Sequence, residues 1–250
     1  MNRTAIVFVR VSVECDKIDG MKDYQHIEIV ECGESLVPIP PDRFAFESPH
    51  PYEKVGAPYG DRSPFFLRQG VLDRLDAAQT FLQQQQRGWR IQIFDAYRPV
   101  EVQQYMVDYT FEETVRSRGL SSTELTPTQR DGILEDVYQF WAVPSLDPAF
   151  PPPHSTGSAI DVTLVDEESQ VVDMGSPIDE MSPRSYSNHF AASNDAIGQQ
   201  YHRHRQFLAN AMTSAGFIQH PGEWWHFSFG DQMWVWLTKS TEAARYGRIF

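Results

Sequence analysis

Cysteine is nearly absent. The chain has two, Cys15 and Cys32, both near the N-terminus and remote from every motif discussed below. That excludes a disulfide framework and a zinc site built from paired cysteines, and it fits reduced thiols in a cytoplasmic protein. Long apolar runs are also missing. The stretch Ala5–Val9 ends at Arg10, short of the ~7–15 residues of a secretory core and the ~18–20 of a membrane span. The expectation is a cytoplasmic protein with no membrane insertion. Basic charge is scarce, with Lys+Arg 21 against Asp+Glu 34 and a net charge of -13. No basic stripe is available to displace counterions from phosphates, so nucleic acid is excluded as a partner. Several motifs have no counterpart: the Gly-x-x-x-x-Gly-Lys phosphate loop, Gly-x-Gly-x-x-Gly, the Gly-x-Ser-x-Gly elbow and His-Glu-x-x-His. Internal repeats and low-complexity linkers are lacking as well.

What is present is a globular composition over 250 residues, 41% hydrophobic and 22% charged. This suits one large domain that buries its core without staples. Met21 opens a second start-like stretch, so residues 1–20 read either as an extension or as a misplaced start. Residues 33–69 carry Pro38, Pro40, Pro41, Pro49, Pro51, Pro58 and Pro64 and read as a loop-like segment wrapping a core built later. Val71, Leu72, Leu75, Ala78, Phe81 and Leu82 recur at helical spacing, predicting a helix over 70–87 stopped by Gly88. Arg90–Phe94 alternates as a strand. Pro99 suits the first position of a further helix, and Thr126-Pro127-Thr128-Gln129 resembles a capping box. Ala159–Leu164 is a second strand. A helix is expected over roughly 194–215, capped by Asn194, and a closing strand runs through Trp225, Phe227 and Phe229. Without a regular strand–helix rhythm, the expected class is α+β, with a small antiparallel-rich central sheet flanked by helices.

Two segments carry potential chemistry. In Pro153-His154-Ser155-Thr156-Gly157-Ser158-Ala159-Ile160-Asp161-Val162, a histidine closes a proline-rich loop and an acid sits inside an apolar strand. A buried carboxylate is costly unless paired, hydrogen-bonded or bound to metal; taken alone, an ordinary buried Asp bonded to backbone explains it. In Pro221-Gly222-Glu223-Trp224-Trp225-His226-Phe227, an acid and a histidine lie three apart in an aromatic run. Residues three apart on a regular strand face opposite sides, so Glu223 must lie in the Pro-Gly turn to share a site with His226. Together the segments supply two histidines and a carboxylate, the ligand set of a zinc with an open fourth position, plus Glu223 to take a proton from water. Phe94-Asp95-Ala96-Tyr97-Arg98-Pro99 offers Arg98 at a strand end: either an oxyanion stabiliser or half of a surface ion pair with Asp95. His202 and His204 read as solvated.

These segments jointly resemble the D-alanyl-D-alanine dipeptidase family of zinc peptidases, whose fold is shared with D,D-carboxypeptidases and the hedgehog signalling domain. The family pattern is Ser-x-His-x-x-Gly-x-Ala-x-Asp, then Glu-x-x-His, with an upstream Tyr-Arg-Pro. The matches are His154, Gly157, Ala159 and Asp161; Glu223 and His226; and Tyr97, Arg98 and Pro99. Gly175 and Asp179 also resemble the dipeptidase branch. The resemblance covers roughly residues 59–230. It implies a wrapping segment over 1–58, a catalytic domain over 59–250, and one zinc ion held by His154, Asp161 and His226. It further implies Glu223 as general base, Arg98 polarising the intermediate, and Asp179 anchoring the ammonium of a small dipeptide substrate. A tyrosine of the N-terminal third assists in the family, and Tyr59 is the candidate. The implied activity is hydrolysis of D-alanyl-D-alanine or a closely related dipeptide. The competing readings are a D,D-carboxypeptidase or endopeptidase on cell-wall peptides, and a non-catalytic zinc-containing binding module. One position departs from the pattern: Pro152 replaces the family Ser, removing a hydroxyl and a backbone donor from the site edge. The aromatic-rich insertion around 110–150 is expected at the pocket mouth. Oligomeric state is left open.

Overall fold

The computed structural model describes residues 23–249, so Cys15 and the 1–20 segment lie outside the described residues. A mixed sheet of five strands forms the centre. It comprises β2 (Ala45–Phe46), β4 (Arg90–Asp95), β5 (Ala159–Val165), β6 (Ile218–Gln219) and β7 (His226–Ser228), in the order β2-β4-β5-β7-β6. The pairings β4–β5, β5–β7 and β6–β7 are antiparallel, whereas β2 runs parallel to β4. The antiparallel-rich expectation therefore misses the parallel edge. β2 is two residues long, too short for any alternation to announce it.

Strand β5 is buried along its whole length. Its alternate residues Ile160, Val162 and Leu164 join Ile91 and Ile93 of β4 in the main core. Helices α2 (Gln69–Gln85) and α5 (Ala196–Ser214) cover that face through Val71, Leu75, Ala78, Leu82, Leu208, Ala211 and Met212. The other face of β5 carries Asp161 and Thr163. A second apolar cluster lies beside the sheet, built from α1 (Pro51–Lys54), α3 (Val100–Ser117) and α4 (Pro127–Val137). It gathers Tyr52, Tyr59, Val102, Met106, Phe111, Ile133, Val137 and Trp141.

Helix boundaries follow from their caps. Thr126 and Gln129 form the reciprocal capping box at α4. Pro99 is the N-cap of α3 and not its first helical residue. Asp195, not Asn194, caps α5, its carboxylate accepting from Gly198 N at 2.8 Å. The segment 33–69 is more structured than a loop. It contains β1 (Leu36–Pro38), paired antiparallel with β3 (Phe66–Arg68), together with β2 and α1. Prolines keep each piece below the length at which a period is readable. Nor does the chain close on a strand: β7 stops at Ser228, and α6 (Gln232–Thr238) follows, with Asp231 accepting from Trp234 N at 2.8 Å. Among the described residues no helix is long and apolar enough to cross a membrane.

Candidate active site

The sheet register sets three polar residues abreast. An irregularity in β4 after Ile93 brings Asp95 opposite Asp161, and Asp161 is opposite His226 on β7. His154 reaches the same place from a single 3-10 turn, residues 153–156, which Gly157 ends at φ 72. The left-handed turn requires glycine at 157, and a Cβ there would also stand 2.5 Å from Leu36 Cδ2 and displace that side chain. The turn is tied to the loop after β4 by two hydrogen bonds. Arg98 N donates to His154 O at 3.2 Å, and Ser155 Oγ donates to Arg98 O at 2.8 Å. The question of strand geometry is settled by a second turn. Glu223 N donates to His220 O at 3.3 Å, and the strand proper starts only at His226.

His154 Nε2, His226 Nδ1 and the Asp161 carboxylate form a buried triangle. The edges are 3.2 Å between the imidazole nitrogens, 3.0 Å from His226 Nδ1 to Asp161 Oδ1, and 3.3 Å from His154 Nε2 to Asp161 Oδ2. Tetrahedral zinc, with bonds of about 2.0–2.2 Å, spaces neighbouring donors roughly 3.3–3.6 Å apart. The outward nitrogens fit as well: His154 Nδ1 donates to Ala96 O at 2.8 Å, which leaves the Nε2 lone pair directed into the triangle. His226 Nε2 stands 3.4 Å from Ser228 Oγ, leaving Nδ1 as the inward atom. The donor set therefore fits a divalent metal with an open position. Burial alone pushes the Asp161 carboxyl up, but His154 and His226 outweigh it and hold it well below the usual range.

Glu223 borders the triangle, with Oε2 3.8 Å from His226 Nδ1 and Oε1 3.9 Å from His220 Nδ1, and its side chain 14% exposed. Burial, then the charges of Asp161 and Asp179, raise its pKa well above the ordinary carboxyl value against the pull of Arg98. His220 is buried, its Nδ1 has no hydrogen-bond partner among the described residues, and desolvation followed by His226 pushes its pKa down to about 3.

The Asp95–Arg98 pair is not at the surface. Arg98 Nε donates to Asp95 Oδ2 at 2.9 Å, and both side chains are buried. Asp95 also accepts from His50 Nε2 at 3.1 Å and Tyr59 OH at 3.0 Å. Burial by itself would raise its pKa; Arg98, the His50 hydrogen bond and His154 bring it to about 2. Arg98 Nη1 donates to Gln103 Oε1 at 2.8 Å, and Nη2 lies 3.2 Å from both Asp161 Oδ2 and Tyr52 OH. The guanidinium lies over the rings of Tyr52 and Trp141, at 4.9 and 5.1 Å. Trp141 brings the insertion around 110–150 against Arg98 and Tyr52. Tyr52 OH in turn donates to Asp179 Oδ2 at 2.9 Å.

A family model described as D-ala-D-ala dipeptidase matches residues 46–243. The chain belongs to that family and is a metallopeptidase. A relative named D-alanyl-D-alanine dipeptidase, from Synechocystis sp., is 48% identical over 240 residues, covering 92% of this chain and 97% of its own length. Shorter matches carry the same name. One from Escherichia coli (strain K12) is 42% identical over 74 residues, 30% of this chain and 36% of that one. One from Enterococcus faecium is 39% identical over 80 residues, 32% and 37% of the two chains.

Within this dipeptidase-family chain, His154, Asp161, His226, Glu223 and Arg98 meet as expected from the sequence. Asp179 joins them through Tyr52. Tyr59 does not: its hydroxyl is spent on Asp95, and Tyr52 is the tyrosine beside Asp179. Sequence reasoning also missed His50 and His220. His50 and Tyr52 sit in the proline-rich stretch, where His50-Pro51-Tyr52 was the only signal: a helix start in which Tyr52 N donates to His50 Nδ1 at 3.3 Å. Pro152 precedes the His154 turn as its N-cap and accepts from Ser155 N at 2.9 Å. His204 is not merely solvated, for its Nδ1 donates to Asp173 O at 2.7 Å.

Proposed function

We propose that this metallopeptidase is a zinc-dependent dipeptidase that hydrolyses D-alanyl-D-alanine or a closely related dipeptide with a free N-terminus. The observation that carries the reading is the buried triangle of His154 Nε2, Asp161 and His226 Nδ1 with the Glu223 carboxylate at its edge. The names of the relatives point to the same substrate.

His154, Asp161 and His226 would hold the zinc, which when bound acidifies water and polarises a carbonyl. Glu223 takes a proton from the attacking water and returns it to the leaving amine. Its raised affinity for protons in a nearly dry setting suits both steps. Arg98 has most of its N–H groups engaged with Asp95, Gln103, Asp161 and Tyr52, which fixes the guanidinium plane. Its positive charge then faces the oxyanion without reorganising. Asp179 and the Tyr52 hydroxyl receive the substrate ammonium. A buried carboxylate facing the ammonium selects a free N-terminus and so favours a dipeptide over an internal peptide bond. The wrapping segment belongs to this arrangement, because α1 supplies Tyr52.

The deciding variant is Glu223→Ala. It should bind one zinc per chain as the wild type does and lose roughly 10³-fold or more in turnover of D-alanyl-D-alanine, the general base having been removed. Near-normal turnover in metal-loaded Glu223→Ala ends the mechanism. Failure of the zinc-loaded wild type on every D,D-dipeptide ends the function.

A further inference from the structure

His220 is the one buried histidine near the site with no assigned role. The turn His220-Pro221-Gly222-Glu223 folds it beside Glu223, with Glu223 N donating to His220 O at 3.3 Å. His220 is fixed on both sides: its N donates to His226 O at 3.0 Å, and its O accepts from Ser187 Oγ at 2.7 Å. Gly222 leaves room for the ring, since a Cβ there would lie 3.2 Å from His220 Cε1 and 3.4 Å from Nδ1. The residue is 4% exposed, yet Nδ1 has no hydrogen-bond partner among the described residues. A buried polar atom left unpaired costs about 1–3 kcal/mol, so such an atom calls for an explanation.

Among the described residues the acidic oxygen nearest Nδ1 is Glu223 Oε1, 3.9 Å away. The other carboxylate oxygen, Oε2, faces His226 Nδ1, the inward atom of the metal triangle. The two oxygens of the base are thus differentiated by their neighbours. We propose that His220 is a positioning residue: its Nδ1–H anchors Glu223 Oε1, so that Oε2 alone is turned to the reacting water and the leaving amine. The carboxylate only accepts, so the matching imidazole tautomer carries its proton on Nδ1. The gap is about 1 Å longer than an N–H···O bond. Hydrogen bonds of this kind are often long in the empty enzyme and tighten with substrate bound. No proton passes through His220. Glu223 Oε2 accepts one from water and gives it to the amine, while Oε1 stays bonded. Without the anchor the carboxylate turns freely, and less of it is in the productive orientation.

The role rests on the dipeptidase reading, and the experiment separates the two. His220→Leu, His220→Asn and His220→Gln are compared with wild type, all zinc-loaded, with metal content, kcat and KM for D-alanyl-D-alanine measured. Affinity for a phosphinate dipeptide analogue, which mimics the tetrahedral intermediate, is measured by calorimetry. His220→Leu should keep its zinc and hold KM within roughly threefold, while losing roughly 10- to 100-fold in kcat and in phosphinate affinity, the scale of a misplaced catalytic group. Asn places an amide N–H near the Nδ1 position and should recover most of the loss. Gln, whose amide reaches the Nε2 position, should not. If His220→Leu fails to fold, the Asn–Gln pair carries the test. Equal kcat in Asn and Gln, unchanged kcat in Leu, or loss of zinc in step with activity overturns the role. A zinc-loaded wild type with no dipeptide turnover overturns the functional reading, and this role with it.

Discussion

The two sides of the site are built by different means. His154, Asp161 and His226 stand on adjacent strands and a one-turn helix, and the β4–β5–β7 ladder sets them abreast. Tyr52, Arg98 and Asp179 come from a four-residue helix, the loop after β4 and a further loop. They are aligned by side-chain bonds to one another and to Asp95. Asp179 even holds a left-handed backbone, φ 62, which Asp tolerates better than most residues. The proposed metal side is thus positioned mainly by backbone hydrogen bonds, with Ser155 Oγ to Arg98 O as its side-chain tie. On the side proposed to meet the substrate, position depends on charge, and each member holds the next.

The sharpest break in that comparison is His154→Ala. It removes one proposed ligand and leaves the ladder intact. We expect zinc to be lost and turnover to fall by more than roughly 10³-fold. Thermal unfolding of the metal-free protein should stay cooperative, because the main core does not use this imidazole. Metal content by atomic spectroscopy decides the matter. Stoichiometric zinc in His154→Ala would show that the metal is held elsewhere.

The same division explains what the sequence disclosed. Strand β5 and the aromatic run from Trp225 through β7 to Phe229 are long enough for alternation to be visible, and an Asp within Ile160–Val162 stands out because burying it is costly. Helices α2, α4 and α5 were visible through period and caps. By contrast β2, β6 and α1 are two to four residues long and carry no period. Asp95 was ambiguous for a different reason. An Asp and an Arg three apart describe a surface pair as well as a buried one, and only the register shift in β4 and the arrival of His50 and Tyr59 bury it. Tyr59 and Tyr52 are both tyrosines of the proline-rich stretch. Choosing between them requires knowing that α1 turns residue 52 toward Asp179, information held in tertiary contacts alone.

Asp179→Asn probes the charge-dependent side. Burial, with Asp161 and Asp95 adding to it, raises the Asp179 carboxyl to about 7, against Arg98 and the Tyr52 hydrogen bond. A carboxyl that binds its proton more tightly folded than unfolded favours the native state least when it is ionised. Its destabilising effect is absent below the unfolded pKa near 4, grows between pH 4 and 7, and is complete above 7. Asn removes that effect and still accepts from Tyr52, so the variant should melt higher than wild type at pH 8 and equally at pH 4. Activity should move the opposite way. Loss of the charge proposed to meet the ammonium should lower kcat/KM for D-alanyl-D-alanine by about 10²-fold at pH 8. The wild-type rise in kcat/KM through pH about 7 should flatten, and an N-acetylated dipeptide should be affected far less. Equal loss on free and acetylated substrates would remove Asp179 from ammonium binding.

The smallest and most discriminating contrast is between two tyrosine hydroxyls. Tyr52 OH bridges Arg98 and Asp179, whereas Tyr59 OH ends on Asp95, which keeps His50 and Arg98 as donors. Each Tyr→Phe change deletes one hydroxyl and preserves the ring. Tyr59→Phe should cost about 1–2 kcal/mol in unfolding free energy, with KM unchanged, because its hydroxyl serves Asp95 and not Asp179. Tyr52→Phe should raise KM for D-alanyl-D-alanine roughly 5- to 30-fold with a smaller change in kcat, the energy of about one hydrogen bond to a charged group. Denaturant titrations and steady-state kinetics on the two variants read these effects separately. If Tyr59→Phe raises KM and Tyr52→Phe does not, the ammonium is met by residue 59 after all, and the charge network must run from the substrate through Asp95 to Arg98 instead of through Asp179.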